Sequence, residues 1–412
     1  MYLIKVLIIL LILFQQGISY SLLLKKYKDY FNPVLFTSIF IFIPFCLSNI
    51  KLSVYQTVDY HPYVYLIMLF SSTLILYYSF VLTPKKQIFN LELKKNNLIF
   101  ILLLNIIYAT SYLYENIIIT GLLIPITGIA ETGDVHLENV PILREINTVS
   151  RFLLPLLNFY MFKKTSQKRY LVMCLIVLFI PLSRGSRSAI LNSLLMILAF
   201  NYRKINIKKT FLIGIILLIF IYSAVSIGNT RIESYTTQSY GYEIGITSEL
   251  LNHTFFGEIF SWYYGYYALS FYNFNTSLVN WLNDDVYFLG LANLNGMLTY
   301  FFENYPTLQE FNSRIISING AAVVPTTYYY YLIDFGVPGV LIFDFLFYTL
   351  LFMVYRKSSD NDFSRLCYCL LLLQVLNFVF YSSFFAICLY PILGFVYLFK
   401  MFKHKRRGAN YE

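Results

Sequence analysis

Charged residues are scarce in this chain. Only 13% of its 412 residues are Asp, Glu, Lys or Arg, about half of the roughly 25% found in soluble domains. Apolar residues account for 58%, and they are gathered in repeated runs of about 15 to 22 residues, long enough to cross the hydrocarbon of a bilayer. This composition excludes a soluble enzyme, a disordered chain and a small disulfide scaffold, and it predicts a polytopic membrane protein.

Groups that carry metal, redox or nucleotide chemistry are scarce as well. The five cysteines are an odd number and lie in or beside apolar runs, which favours packing over a disulfide framework. The four histidines are far apart in the sequence. The chain also lacks a P-loop and the G-x-G-x-x-G, H-E-x-x-H and G-x-S-x-G motifs. We therefore expect no ATP hydrolysis, no catalytic metal and no cofactor.

The apolar runs predict an all-α fold of about eleven transmembrane helices with one large external loop. The predicted spans lie near residues 2–20, 33–50, 62–82, 97–119, 141–162, 169–183, 188–202, 210–229, 339–355, 365–382 and 384–402. They divide the chain into an N-terminal bundle (1–229), the external loop (230–338) and a C-terminal bundle with a basic tail (339–412). Within the loop we expect interfacial or re-entrant helices around 259–274 and 325–338.

Lysines and arginines collect in alternate connections between the predicted spans. Examples are Lys25, Lys26 and Lys28 after the first span and the basic tail at 400–407. Because such clusters mark cytoplasmic loops, we place the N-terminus outside and the C-terminus inside. The net charge of +10 is therefore a topology signal, whereas a nucleic-acid-binding protein gathers its basic residues on one soluble face.

A tight hairpin between two short spans carries two arginines on the predicted outer side. It runs from Ser183 to Ser188 and includes Arg184 and Arg187, and Ser186 is placed to cap the helix that follows. The start of a helix favours phosphate, and the planar fork of arginine suits phosphate better than lysine does. The hairpin therefore predicts an anion site at the membrane surface. The alternative is that both arginines extend to lipid headgroups.

A second arginine pair lies inside the span that begins at Pro141. Arg144, Thr148 and Arg151 are spaced i, i+4 and i+7 and share one helical face, and Pro155 is placed to kink the helix. An arginine at this depth costs about 2.5–3.5 kcal/mol, so we expect it to face a lipid groove or an acidic partner. A purely structural ion pair is the alternative, and the candidate partners are Asp344, Glu115 and Glu145.

The long external loop supplies further candidates. Arg231 and Arg314 are candidate phosphate ligands, and the candidate proton acceptors are His253, Glu258 and Asp334. Exposed loops carry lone charges without function, so each of these is a weak signal. The tyrosine-rich runs of the loop suit stacking on sugar rings, and an aromatic belt at the membrane interface explains them equally well.

Two short segments resemble a known family. The hairpin from Leu182 to Ala189 resembles the S-x-x-R-S-A-like segment of bacterial O-antigen repeat-unit polymerases of the Wzy type. The stretch from Pro325 to Gly339, with Asp334-Phe335-Gly336, is similar to the Y-x-D-F-G-x-x-G segment that precedes a late span in such proteins. The predicted spans and the single large loop are similar to that architecture over essentially the whole chain.

The resemblance implies a multi-pass glycosyltransferase of the bacterial inner membrane, similar to membrane glycosyltransferases that use polyprenyl donors. Such an enzyme polymerises undecaprenyl-pyrophosphate-linked oligosaccharide units into O-antigen or a related surface polysaccharide at the periplasmic face, without a metal and with a chain-length regulator as a possible partner. Its pyrophosphate would meet Arg184, Arg187, Arg231 and Arg314, with Arg151 in support. Glu258, Asp334 or His253 would be the base.

Two other functions stay open at this point. An O-antigen ligase uses the same lipid donor and shares the topology and the external arginines. A flippase for lipid-linked units is the second alternative, although the chain shows no pair of matched halves of the kind that many transporters have.

Overall fold

The chain is seen in a computed structural model that describes residues 2–83, 89–93, 96–121, 141–184, 186–201, 218, 221–222, 225–226, 240–284, 287–298, 326–358, 362–379 and 402–406. The described residues are mostly helical, as the apolar runs predict. Two short strands, which the sequence did not predict, are β1 (Phe89–Leu93) and β2 (Phe402–Arg406), and they pair antiparallel.

Fifteen α-helices are seen among the described residues. They are α1 (Tyr2–Tyr27), α2 (Pro33–Thr37), α3 (Ile43–Ser48), α4 (Pro62–Val81), α5 (Asn96–Thr120), α6 (Pro141–Thr165), α7 (Lys168–Phe179), α8 (Arg187–Asn201), α9 (Tyr240–Glu243), α10 (Glu249–His253), α11 (Phe255–Tyr263), α12 (Leu269–Asp284), α13 (Leu291–Leu298), α14 (Tyr328–Lys357) and α15 (Asp362–Leu376). A π-helical turn at Ser38–Phe42 joins α2 to α3, another at Tyr264–Ala268 joins α11 to α12, and a 3-10 turn at Ile180–Arg184 follows α7.

Several of these helices suit a bilayer. Four stretches are long and apolar enough to cross a membrane, namely Leu3–Tyr27, Pro62–Val81, Ile101–Ile118 and Tyr328–Lys357. Two shorter apolar stretches are Pro33–Ser48 and Arg187–Asn201. The chain therefore has the helices of a membrane protein. The predicted spans near 210–229 and 384–402 lie largely outside the described residues.

The helices gather into two compact units, each made of separated stretches of chain. The first unit comprises Met1–Thr83, Arg203–Met353 and Gln374–Ala386, and the second comprises Pro84–Tyr202, Val354–Leu373 and Ile387–Glu412. This division groups the residues that pack together. The predicted division at 229 and 338 instead separates the expected external loop from the expected spans, and packing does not test it, so it stays a prediction.

In the first unit, α1 and α4 run parallel. Gln16 donates to the Ser72 hydroxyl at 3.0 Å midway along the pair. Further on, the Lys26 ammonium donates to three backbone carbonyls between residues 79 and 82, at 2.6–3.2 Å. The last carbonyls of a helix have no partner of their own, so Lys26 caps the C-terminus of α4. Two parallel helices require the intervening α2–α3 segment to run back between them.

A helical rod from Phe255 to Asp284 lies inside the first unit, formed by α11, the π turn and α12. It packs on α3 through Phe45 and Phe271, whose ring centroids are 5.9 Å apart. The Tyr264 hydroxyl accepts from the backbone N–H of Leu52 at 3.0 Å, and this tyrosine is fully buried. The rod is longer than the interfacial helix expected around 259–274, and its tyrosine serves packing.

The tyrosine run at the start of α14 is buried too, since Tyr328 and Tyr329 are each 1% exposed. α14 begins before the span predicted at 339–355 and is broken at Gly336, whose φ is +69° and ψ is −166°. Only glycine adopts this conformation readily. A Cβ there would also lie 3.0 Å from the Trp281 ring. The Asp334-Phe335-Gly336 segment is therefore a helix break.

The second unit contains the bundle of α5 to α8. Tyr108, Tyr112, Leu154 and Val177 form a buried cluster between α5, α6 and α7. At one end of the unit, the basic connections meet other elements. Lys164, in the last turn of α6, lies 2.6 Å from Asp362 at the start of α15, and Arg365 donates to the Ala199 carbonyl near the end of α8.

Candidate functional site

A buried carboxylate links α5 to α6 in the second unit. Glu115 is 4% exposed, and its Oε2 accepts a hydrogen bond from the Asn147 amide at 2.5 Å. The Ser111 hydroxyl, one turn earlier on α5, donates to the side-chain amide oxygen (Oδ1) of Asn147 at 2.6 Å. Polar groups buried in an apolar bundle are costly unless they are bonded. These contacts therefore fix the faces that α5 and α6 turn to each other.

The same end of α5 holds the arginine hairpin. The fully buried Asn116, next to Glu115, donates to the Ser183 hydroxyl at 2.9 Å. Ser183 lies in the 3-10 turn that contains Arg184. A single pair of neighbouring residues on α5 thus contacts both α6 and the hairpin, so the buried acid and the hairpin lie at the same end of α5.

A proline determines how α8 meets α6. Pro155 has no N–H, so the carbonyl of Arg151, four residues earlier, loses its partner within α6. The Ser193 hydroxyl of α8 donates to that carbonyl at 3.3 Å. This bond places α8, the helix that begins at Arg187, against the arginine-bearing face of α6.

The guanidinium of Arg151 has no acidic partner among the described side chains. Its Nε is buried without a hydrogen-bond partner, and its guanidinium carbon lies 4.7 Å from the centroid of the Phe152 ring. Arg151 is ten residues into α6, about 15 Å along the helix axis. Among the described side chains, the Arg151 guanidinium therefore has no anion to neutralise it, and a bound anionic ligand could take that place.

The hairpin arginines sit at a helix start. Arg187 is the first residue of α8 and is half-buried, with Ser186 directly before it in the N-cap position. Arg184 ends the 3-10 turn, and Arg144 lies in the first turn of α6. The side chains of Arg184 and Arg144, and that of Glu145, are outside the described part of the chain. Arg231 and Arg314 lie outside it altogether.

Asp334, in the first unit, caps a helix. Its Oδ1 accepts from the backbone N–H of Ala292 at 3.0 Å. Its Oδ2 accepts from the backbone N–H of Asn293 at 3.0 Å and from the amide of the same residue at 2.7 Å. Both backbone groups belong to the first turn of α13, where donors otherwise lack partners. The geometry gives Asp334 a positioning role, and its role as a proton acceptor stays a prediction.

The other two candidate bases also lie in the first unit. His253 ends α10, is exposed, and has its Nε2 3.3 Å from the Tyr242 hydroxyl. Glu258 is in the first turn of α11, where a negative charge favours the helix. Nothing in their surroundings tests a catalytic role, which stays a prediction for both.

Asp344, the expected partner of an arginine, is bonded to hydroxyl groups instead. Its Oδ2 contacts the hydroxyls of Ser71 and Tyr328. The ion pair with Arg144 lies outside the described side chains. Within the described residues, no three His, Cys, Asp or Glu side chains are grouped as a metal site would require.

The sequence did not predict Asn147, Asn116 and Ser193 as members of the site. Asn147 lies four residues before Arg151 and shares its face, so the spacing of polar residues in α6 was the signal that could have found it. The partners of Asn116 and Ser193 lie on other helices, and no local spacing shows them.

No protein-family model matches the chain, and no curated protein and no solved structure matches it.

Proposed function

We propose that the chain is a membrane glycosyltransferase of the O-antigen polymerase type, which joins oligosaccharide units carried on undecaprenyl pyrophosphate. The observation that carries the proposal is Arg151, a guanidinium ten residues into α6, in a span predicted to cross the membrane, with no ion pair among the described side chains. An arginine inside hydrocarbon costs about 2.5–3.5 kcal/mol. An anionic ligand explains why that cost is tolerated.

The hairpin would hold the diphosphate. In the proposed reaction the bond between the anomeric carbon and a diphosphate oxygen breaks, and the electron pair leaves with the diphosphate. The acceptor hydroxyl forms the new bond and gives up its proton. Arginine forks and helix N–H groups stabilise the charge that develops on the leaving group. Arg187 and Arg184 stand at such a helix start, and Arg151 adds charge from α6.

Glu115 is the acid that shares this site. It lies five residues before the end of α5, about 7.5 Å along the helix axis, and Asn147 orients its carboxylate. We assign to Glu115 the proton of the acceptor hydroxyl. His253 and Glu258 stay as alternative bases, to be compared in the same assay.

Contacts within the second unit support the topology that the proposal needs. The ribbon of β1 and β2, the Lys164–Asp362 pair and the Arg365–Ala199 bond all join connections that the charge pattern assigns to the cytoplasm. The Asn116–Ser183 bond joins two ends assigned to the outside. Together with the apolar runs, which predict about eleven spans, the proposal places the protein in a bacterial inner membrane with the site facing the periplasm.

The test is polymerisation by the purified full-length protein in lipid nanodiscs, given defined lipid-linked repeat units. The expected product is a ladder of polymers with release of undecaprenyl pyrophosphate. E115Q keeps a side-chain oxygen that can accept from Asn147 but removes the base. We therefore expect the polymerisation rate to fall roughly 10²–10⁴-fold. R187K should lose activity because lysine cannot form a forked contact. R169K, an exposed arginine on α7, is the matched control.

Full activity of both E115Q and R187K would contradict the assigned roles. A ligase would transfer units without forming a ladder, and its deletion would leave lipopolysaccharide with no repeat unit, whereas deletion of a polymerase leaves one. A flippase would move the lipid and make no polymer.

A further inference from the structure

Asp344 is a second acid buried in an apolar helix, and it lies in the first unit. It is 1% exposed and stands eight residues beyond the break at Gly336, within the membrane-crossing stretch of α14. Its Oδ2 contacts the Ser71 hydroxyl of α4 and accepts from the Tyr328 hydroxyl at 2.9 Å. Its Oδ1 is buried and has no partner among the described residues.

The described groups that face Asp344 carry no charge. From α4 it meets Ser71, and from α14 it meets Tyr328, with the buried Tyr348 one turn further on. No lysine, arginine or histidine of the described residues lies within ion-pair distance. An ionised carboxylate with one bare oxygen in such surroundings is strongly disfavoured.

Ser71 has other partners for its own proton. Its hydroxyl lies 2.8 Å from the Ile67 carbonyl, which can only accept, and 3.1 Å from the Tyr328 hydroxyl, where either group can donate. A proton on Oδ2 of Asp344 can therefore be donated to the Ser71 oxygen while Ser71 donates to Ile67.

We propose that Asp344 is a proton-binding site in the membrane interior, and that its neutral acid group fastens α14 to α4 through Ser71. Loss of this proton would place a charge among the neutral groups that surround it in the described residues. Asp334, only ten residues earlier on the same helix, is the natural comparison, since both of its oxygens accept hydrogen bonds from N–H donors.

Infrared difference spectroscopy on the full-length protein in nanodiscs tests the proposal at neutral pH. The spectrum of wild type minus D344N should contain the carbonyl band of a protonated carboxyl group, shifted when aspartate is labelled with carbon-13. The matched spectrum for D334N should lack that band. Absence of the band in the D344N difference would overturn the proposal.

Stability measurements give an independent readout. D344N, which mimics the neutral acid, should keep the melting temperature of the wild type, whereas D344A should lower it. If D344N does not fold, S71A should shift the acid band, because the acid loses its acceptor; an unshifted band would overturn the proposal. A rise in melting temperature with sodium but not choline, absent in D344N, would assign the site to a cation and overturn it as well.

Discussion

At the scale of single residues, Asp59 shows how an exposed charge behaves in this fold. It lies between α3 and α4, 2.6 Å from Lys51 and 3.6 Å from Lys5. The hydrogen bond from Lys51, followed by the charge of Lys5, lowers the pKa of Asp59 below its ordinary value. The cluster therefore stabilises the fold above the unfolded pKa of about 3.9. That contribution is lost as the pH falls through the lower folded pKa.

We expect D59N to melt slightly below the wild type at neutral pH and together with it in strong acid. The gap should be small and should narrow in high salt, because the pair is exposed and screened. Thermal unfolding across pH measures it, and K51M should give the same profile as D59N. A difference in melting temperature between the wild type and D59N that does not change with pH would show that the charge of Asp59 is not its cause.

Three buried acids show what residue type alone could not reveal. The sequence marked Glu115, Asp334 and Asp344 as acids of interest, and all three are buried. Their partners are an amide, three N–H donors and two hydroxyls, respectively. Those partners come from distant parts of the chain, so the function of each acid could not be predicted from its neighbours in sequence.

At the scale of helices, Pro155 and Ser193 make a testable pair. The Ser193 hydroxyl replaces the N–H that proline removes from the Arg151 carbonyl. We expect S193A to destabilise the protein by about 0.5–1.5 kcal/mol. In a P155A background the restored N–H should satisfy the carbonyl, so S193A should cost less there. The free energies of unfolding of the wild type, S193A, P155A and the double variant, measured with denaturant in detergent, complete this double-mutant cycle. If S193A lowers the free energy of unfolding equally with and without Pro155, the Ser193 hydroxyl does not replace the missing N–H.

The helices that were predicted well are those with a local signal. α1, α4, α5 and α14 contain long apolar runs, and composition alone is enough to find them. The rod from Phe255 to Asp284 has a weaker signal, because tyrosines and asparagines interrupt its apolar residues, and it was predicted only as a shorter interfacial or re-entrant helix around 259–274. The ribbon of β1 and β2 joins residues far apart in the chain, which no local pattern shows.

At the scale of the whole molecule, the short span before the arginine hairpin has the length a bilayer requires. α7 and the 3-10 turn that follows it run from Lys168 to Arg184. A 3-10 turn rises about 2.0 Å per residue and an α-helix about 1.5 Å, so the two together extend about 28 Å. That is close to the hydrocarbon thickness of about 30 Å. Lys168 and Ser186 should therefore lie at opposite faces of the membrane.

Single cysteines at these two positions, in a background without the five native cysteines, test the orientation of the proposed site. A membrane-impermeant maleimide should label S186C in intact spheroplasts, because the charge pattern places the hairpin outside. K168C, exposed at the other end of α7, should react only after permeabilisation, and labelling of denatured protein gives the total for each. The proposed enzyme needs its arginines where lipid-linked sugars are joined. The reverse pattern of labelling would put the hairpin in the cytoplasm and remove the basis of the proposed function.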